Sequence, residues 1–132
     1  MTKDQVRQIK LICYANWLIT EKVGGDKGVR DLQMLKATVT LPGGLSLTCF
    51  LGEKLPNRKD LFLQLGWFIF YMLDGEPFNA RNRTTTLLLL LWVLRYYRLG
   101  FDAPEFAEYI RTLDTLKHGN SDISLWLANH CR

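Results

Sequence analysis

An all-α domain is the fold class this sequence predicts, on three observations. Two apolar runs, at residues 61–73 and 84–94, are long enough for helices buried at the centre of a bundle. Helix-capping residues stand before most of the periodic stretches, and only one short segment alternates with the period of a strand. With 132 residues, 48% of them hydrophobic and 23% charged, the chain has the size and composition of a single domain spanning 1–132.

In chain order, the first helix is predicted over residues 4–22. Val6, Ile9, Cys13 and Trp17 recur on one face with Ile12 and Ile19 beside them, and Gly24-Gly25 ends it. A second helix over 29–38 offers Leu32, Leu35 and, at its end, Val39 to the core, before Pro42-Gly43-Gly44 breaks the chain. Along 45–51, Leu45, Leu47, Cys49 and Leu51 alternate with Ser46, Thr48 and Phe50, which predicts a short strand or hairpin arm. Asn57 or Asp60 caps the first buried helix, which runs to about residue 73, and Asp74-Gly75-Glu76-Pro77 reads as a loop.

The second buried helix is predicted from about 82 to 98, with Gly100 just past its end. Asp102, Pro104 and Glu105 then supply an N-cap, a first-turn proline and a glutamate at the third helical position, for a helix to about 117. After the break at Gly119-Asn120-Ser121, residues 122–130 form a short terminal helix with Ile123, Leu125, Trp126 and Leu127.

Composition narrows the function classes. The formal charge of +4 comes from interspersed rather than clustered basic residues, and no nucleic-acid-binding pattern is present, so a nucleic-acid partner is not expected. Both apolar runs are shorter than the roughly 20 residues a bilayer span needs, so no membrane partner is expected either. Cys13, Cys49 and Cys131 are odd in number and widely spaced, which suggests neither a disulfide framework nor a metal site. The N-terminus lacks an apolar secretory core, and the expected location is cytoplasmic.

Two segments carry a resemblance. Gly24-Gly25-Asp26-Lys27-Gly28-Val29-Arg30-Asp31, followed by Leu35 and Ala37, resembles the Gly-Gly-x-x-Gly-Ile/Val-Arg-Asp segment of the Fic/Doc (death-on-curing) family, in its Doc-like branch. Glu76-Pro77-Phe78-Asn79-Ala80-Arg81-Asn82-Arg83-Thr84, placed between two apolar helices, resembles the family's His-Pro-Phe-x-Asp-Gly-Asn-Lys-Arg loop. The likeness spans residues 11–109 and implies a Fic/Doc-like helical bundle with two central buried helices and a short β-hairpin flap.

Position by position, what it implies for activity is mixed. Pro77 and Phe78 match and would anchor the loop to the core, and Asn82 matches the asparagine that holds phosphate oxygens in the family. Arg83 keeps the positive charge of the lysine, as a planar fork instead of a point charge. Glu76 stands in place of the histidine that deprotonates a target hydroxyl, Ala80 in place of the acidic residue that serves a divalent metal, Arg81 in place of the small residue, and Thr84 in place of the closing arginine. A carboxylate is a weaker base than an imidazole, so Glu76 is a poor substitute for that histidine.

The residues also carry a reading of their own. Arg81, Asn82, Arg83 and Thr84 open a helix, where unpaired amides and a positive dipole end make an anion site, and two arginines there call for a counter-charge. The expected function is therefore a Fic/Doc-like protein with a degenerate nucleotide- or phosphate-binding loop, impaired as an AMP- or phosphoryl-transferase, its nucleotide bound without a complete magnesium site. Two other readings stand beside it: a protein-interaction module related to toxin–antitoxin systems, and an active transferase with altered chemistry. The resemblance assigns residues 45–49, Leu45, Ser46, Leu47, Thr48 and Cys49, to the flap that would hold a protein target, and it implies a target or antitoxin as partner.

Overall fold

The computed structural model of the chain describes residues 1–43, 45–51 and 57–132, with only the backbone of Leu51. Six α-helices account for most of them: α1 (Lys3–Val23), α2 (Leu32–Ala37), α3 (Arg58–Gly75), α4 (Asn82–Tyr96), α5 (Ala103–Thr112) and α6 (Asn120–His130). The all-α expectation is met. Among the described residues the β-structure is one isolated antiparallel bridge, between Val29 and Phe78.

α3 is the central helix, packed against α6, α4 and α2, and α4 packs in turn against α1 and α5. Leu61, Leu65, Phe68, Ile69 and Met72 are wholly buried, as an all-round apolar run requires. α6 approaches closely because Gly66 has no side chain: a Cβ there would stand 2.1 Å from Ser124 Oγ and 2.7 Å from the Asn120 carbonyl. The Ser124 hydroxyl then donates to the Phe62 carbonyl at 2.9 Å, satisfying its polar atom inside the helix pair.

Several expectations change. α4 is one-sided rather than buried all round: Thr85, Thr86, Leu89, Leu90, Val93 and Leu94 face the core, while Leu88 and Trp92 are 40% and 41% exposed. α1 buries Gln8, Ile12, Ala15, Asn16 and Thr20, not the Val6, Ile9, Cys13 and Trp17 face, and Trp17 is 47% exposed. The amphipathic assumption that apolar means inward fails there because α1 contributes hydrogen-bonding groups to the interior.

α2 begins at Leu32 instead of residue 29 because Val29 and Arg30 are drawn into the bridge region, and Asp31 caps the helix by accepting from the Met34 amide at 3.0 Å. α5 stops at Thr112, five residues before 117, since Leu113 turns extended to bury its side chain and Asp114 starts a new turn. α6 starts at Asn120, inside the expected break, with Gly119 as its N-cap.

The predicted hairpin arm at 45–51 is absent. Residues 45–48 are irregular, and Cys49–Leu51 form a 3₁₀ turn. Buried glutamines take the backbone groups that strand pairing would use: Gln8 Nε2 donates to the Leu47 carbonyl, and Gln64 Oε1 accepts from the Thr48 amide at 2.9 Å. Leu47 and Cys49 are buried as the alternation suggested, but Phe50 is buried too, against Phe68. Of the expected Pro42-Gly43-Gly44 break, Gly44 lies outside the described residues.

Candidate functional site

The two segments that carry the resemblance lie against each other. The Pro77 carbonyl accepts from the Arg30 and Asp31 amides at 2.7 and 3.0 Å, and the Asn79 amide donates to the Gly28 carbonyl at 3.0 Å. Asn79 Nδ2 adds a bond to the Lys27 carbonyl at 2.9 Å. Gly25 packs on the loop as well, where a Cβ would meet Ala80 Cβ at 3.0 Å. Phe78, 2% exposed, anchors the loop in the core beside the buried Pro77.

The loop ends in a backbone conformation that favours glycine. Arg81 sits at φ 63° and ψ 32°, left-handed, as does Glu76 at φ 44° and ψ 63°. A left-handed residue with a side chain costs roughly 1–2 kcal/mol, so the surroundings must hold Arg81 there. They do so on two sides. Asn16, 2% exposed on α1, donates from Nδ2 to the Ala80 carbonyl at 2.9 Å and to Thr85 Oγ1 at 3.1 Å. Asn82 closes the turn by accepting from the Phe78 amide and donating to the Phe78 carbonyl, both at 3.0 Å.

Three arginines converge on this loop, and each is bonded to the C-terminal carbonyls of a different helix. Arg30 donates to the carbonyls of Gly75 and Glu76 at the end of α3. Arg81 donates from Nε to the Gly24 carbonyl at 2.9 Å and from Nη2 to Val23 at 3.0 Å, at the end of α1. Arg83 donates from Nη1 to Ile110 at 2.6 Å, in the last turn of α5. The negative end of a helix dipole is where a cation belongs, so two arginines at the N-terminus of α4 are accommodated without an external anion.

A cleft of about 400 Å³ opens over this arrangement, lined by Arg30, Glu76, Asn79, Arg81, Asn82 and Arg83 among others. The first turn of α4 forms one wall, and no side chain caps it. Glu76, exposed in the same cleft, is the C-cap of α3. Thr84 is exposed at the rim, where the cleft meets a second, smaller hollow beside Ala107 and Arg111. Glu76, Arg81, Asn82, Arg83 and Thr84 are thus gathered at one cleft. Leu45, Ser46, Leu47, Thr48 and Cys49 do not line it; the Leu47 carbonyl and the Thr48 amide are bonded to side chains of α1 and α3 instead.

Sequence reasoning missed Arg30 as a lining residue and Asn16 as the loop's tie to α1. A signal for Asn16 was present: Gln8, Ile12, Asn16 and Thr20 are spaced by four, a single helical stripe with polar members. Among the described residues no group of three or more histidine, cysteine or acidic side chains is placed to hold a metal ion, and no helix is long and apolar enough to cross a membrane. No family model, curated protein or solved structure matches the chain.

Proposed function

We propose that this chain is a Fic/Doc-like protein in which the loop 76–84 receives a phosphate-bearing ligand or nucleotide without transferring it. The observation that carries the reading is the uncapped first turn of α4 in the wall of a cleft lined by three arginines. The amides of residues 82–84 meet the ligand there, and guanidinium N–H groups not spent on helix carbonyls add donors at the rim. The left-handed Arg81 supports the family likeness, since the corresponding small residue of the family suits that conformation.

Transfer is not part of the proposal. Glu76 occupies the position of the family's base but caps α3 from an exposed site, and Ala80 offers no ligand to a metal. Arg81 and Arg83 are tied to helix ends, so the loop has become a structural joint between α1, α4 and α5 as well as an anion receptor. Differential scanning fluorimetry with inorganic phosphate, ATP and sodium chloride tests the binding half. Phosphate and ATP raise Tm with saturation, as a ligand of the folded state must, and sodium chloride at matched ionic strength does not. Equal shifts for all three would reject it.

A further inference from the structure

A second surface, sharing no residue with the cleft above, lies where α1 and α4 run side by side. The two helices are antiparallel, since the end of α1 meets Arg81 at the start of α4. Between them runs an apolar groove of about 200 Å³ lined by Leu11, Tyr14, Leu18, Leu88, Leu89 and Trp92. Tyr14, Leu88 and Trp92 are 57%, 40% and 41% exposed. Trp17, stacked on Tyr14 at 6.2 Å between ring centres, extends the patch along α1 at 47% exposure. Contiguous exposure of this kind, rich in tryptophan and tyrosine, marks an interaction site rather than ordinary scattered surface apolarity.

The charges around the groove select the partner. Lys10 lies one turn before Tyr14, Lys22 one turn past Leu18, and Arg95 one turn past Trp92, all three exposed. The two carboxylates of α1's flanks are already occupied, Asp4 by Arg7 at 3.5 Å and Glu21 by Lys27 at 2.8 Å. Among the described residues, Lys10, Lys22 and Arg95 have no carboxylate within ion-pair distance. The groove is therefore apolar along its floor and net positive at its margins. A second copy of the chain would bring these cations against themselves, whereas acidic residues flanking an apolar stripe would complement them.

We propose that the groove between α1 and α4 docks an acidic amphipathic helix of a partner protein. Residues 11–18 of α1 span about two turns, roughly 10 Å, so the partner's anchors are apolar residues at i, i+3 or i+4, and i+7. Leu88 and Trp92 take the anchors on the α4 side, and Lys10 and Lys22 meet glutamates or aspartates on the flanks.

The test is selection of a displayed random library of peptides of about 16 residues, roughly 24 Å as a helix, on the full chain, followed by fluorescence polarisation with the enriched peptides. The expected peptides are net acidic with apolar residues at spacings of three and four. They bind Leu88→Asp and Trp17→Ser roughly tenfold or more weakly, as loss of an interface anchor predicts, and the Lys10→Glu/Lys22→Glu double variant several-fold more weakly. Circular dichroism shows all variants folded; because each site is exposed, one of the two apolar variants suffices if the other unfolds. Failure to enrich any peptide, neutral or basic peptides enriched equally, or undiminished binding to the folded variants would overturn the proposal. A concentration-dependent dimer in sedimentation equilibrium that Leu88→Asp dissolves would overturn it in favour of pairing between copies.

Discussion

Arg83 donates to the Ile110 carbonyl at 2.6 Å, so the first turn of α4 is tied to the last turn of α5 across 27 residues of chain. A partly buried, charge-assisted bond of this kind contributes about 1–2 kcal/mol. Arg83→Ala is expected to lower stability by that amount in urea denaturation, and Arg83→Lys by less, because the ammonium keeps the charge but not the planar fork. An unchanged midpoint in Arg83→Ala would show that the tie is not used.

Arg81 presents two opposing terms that separate in mutants. Its guanidinium caps α1 while its left-handed backbone costs stability. Arg81→Ala loses the cap and keeps the strain, whereas Arg81→Gly loses the cap and relieves the strain. Glycine should therefore be the more stable variant by about 1 kcal/mol. The opposite order would mean that the conformation is not costly in this setting.

Gly66 sets the distance between α3 and α6. Gly66→Ala is expected to cost on the order of 1–3 kcal/mol by overpacking. Ser124→Gly should not restore it, since the Asn120 carbonyl, 2.7 Å from the added methyl, belongs to the backbone. Full rescue by that double variant would place the conflict on the serine alone.

Tyr109 links stability to alkaline pH. Its ring stacks on Trp126 at 3.7 Å, and burial, followed by the Asp122 charge, pushes its pKa up to about 12 from an ordinary value near 10. A raised pKa means that the folded state favours the neutral phenol. Its contribution is full below pH 10 or so and is lost as pH rises through about 12. Tyr109→Phe should flatten the loss of Tm across that window. A profile unchanged by the substitution would show that Tyr109 does not govern it.

Much of the fold was legible because its signals are local. Asn57, Asp102 and Gly24 acted at the positions their chemistry predicted, and the apolar run at 61–73 marked the centre. What escaped was set by distant partners. The alternation at 45–51 is genuine, but two glutamines far along the chain claim its backbone, and no local pattern announces that. The loop residues were located as a group, while the destination of each guanidinium was invisible, since helix C-terminal carbonyls become neighbours only after folding. The two arginines that seemed to require an anion find α1 and α5 instead.

The central claim, that the uncapped turn of α4 receives phosphate, is tested most directly by the backbone amide resonances of Asn82, Arg83 and Thr84 during titration with inorganic phosphate at constant ionic strength. The account predicts saturable downfield shifts concentrated at these three amides and at Arg30, Arg81 and Arg83 side-chain N–H groups, with α6 unmoved. Phosphate shifts that do not saturate, or that spread over the surface lysines and leave residues 82–84 in place, would contradict it.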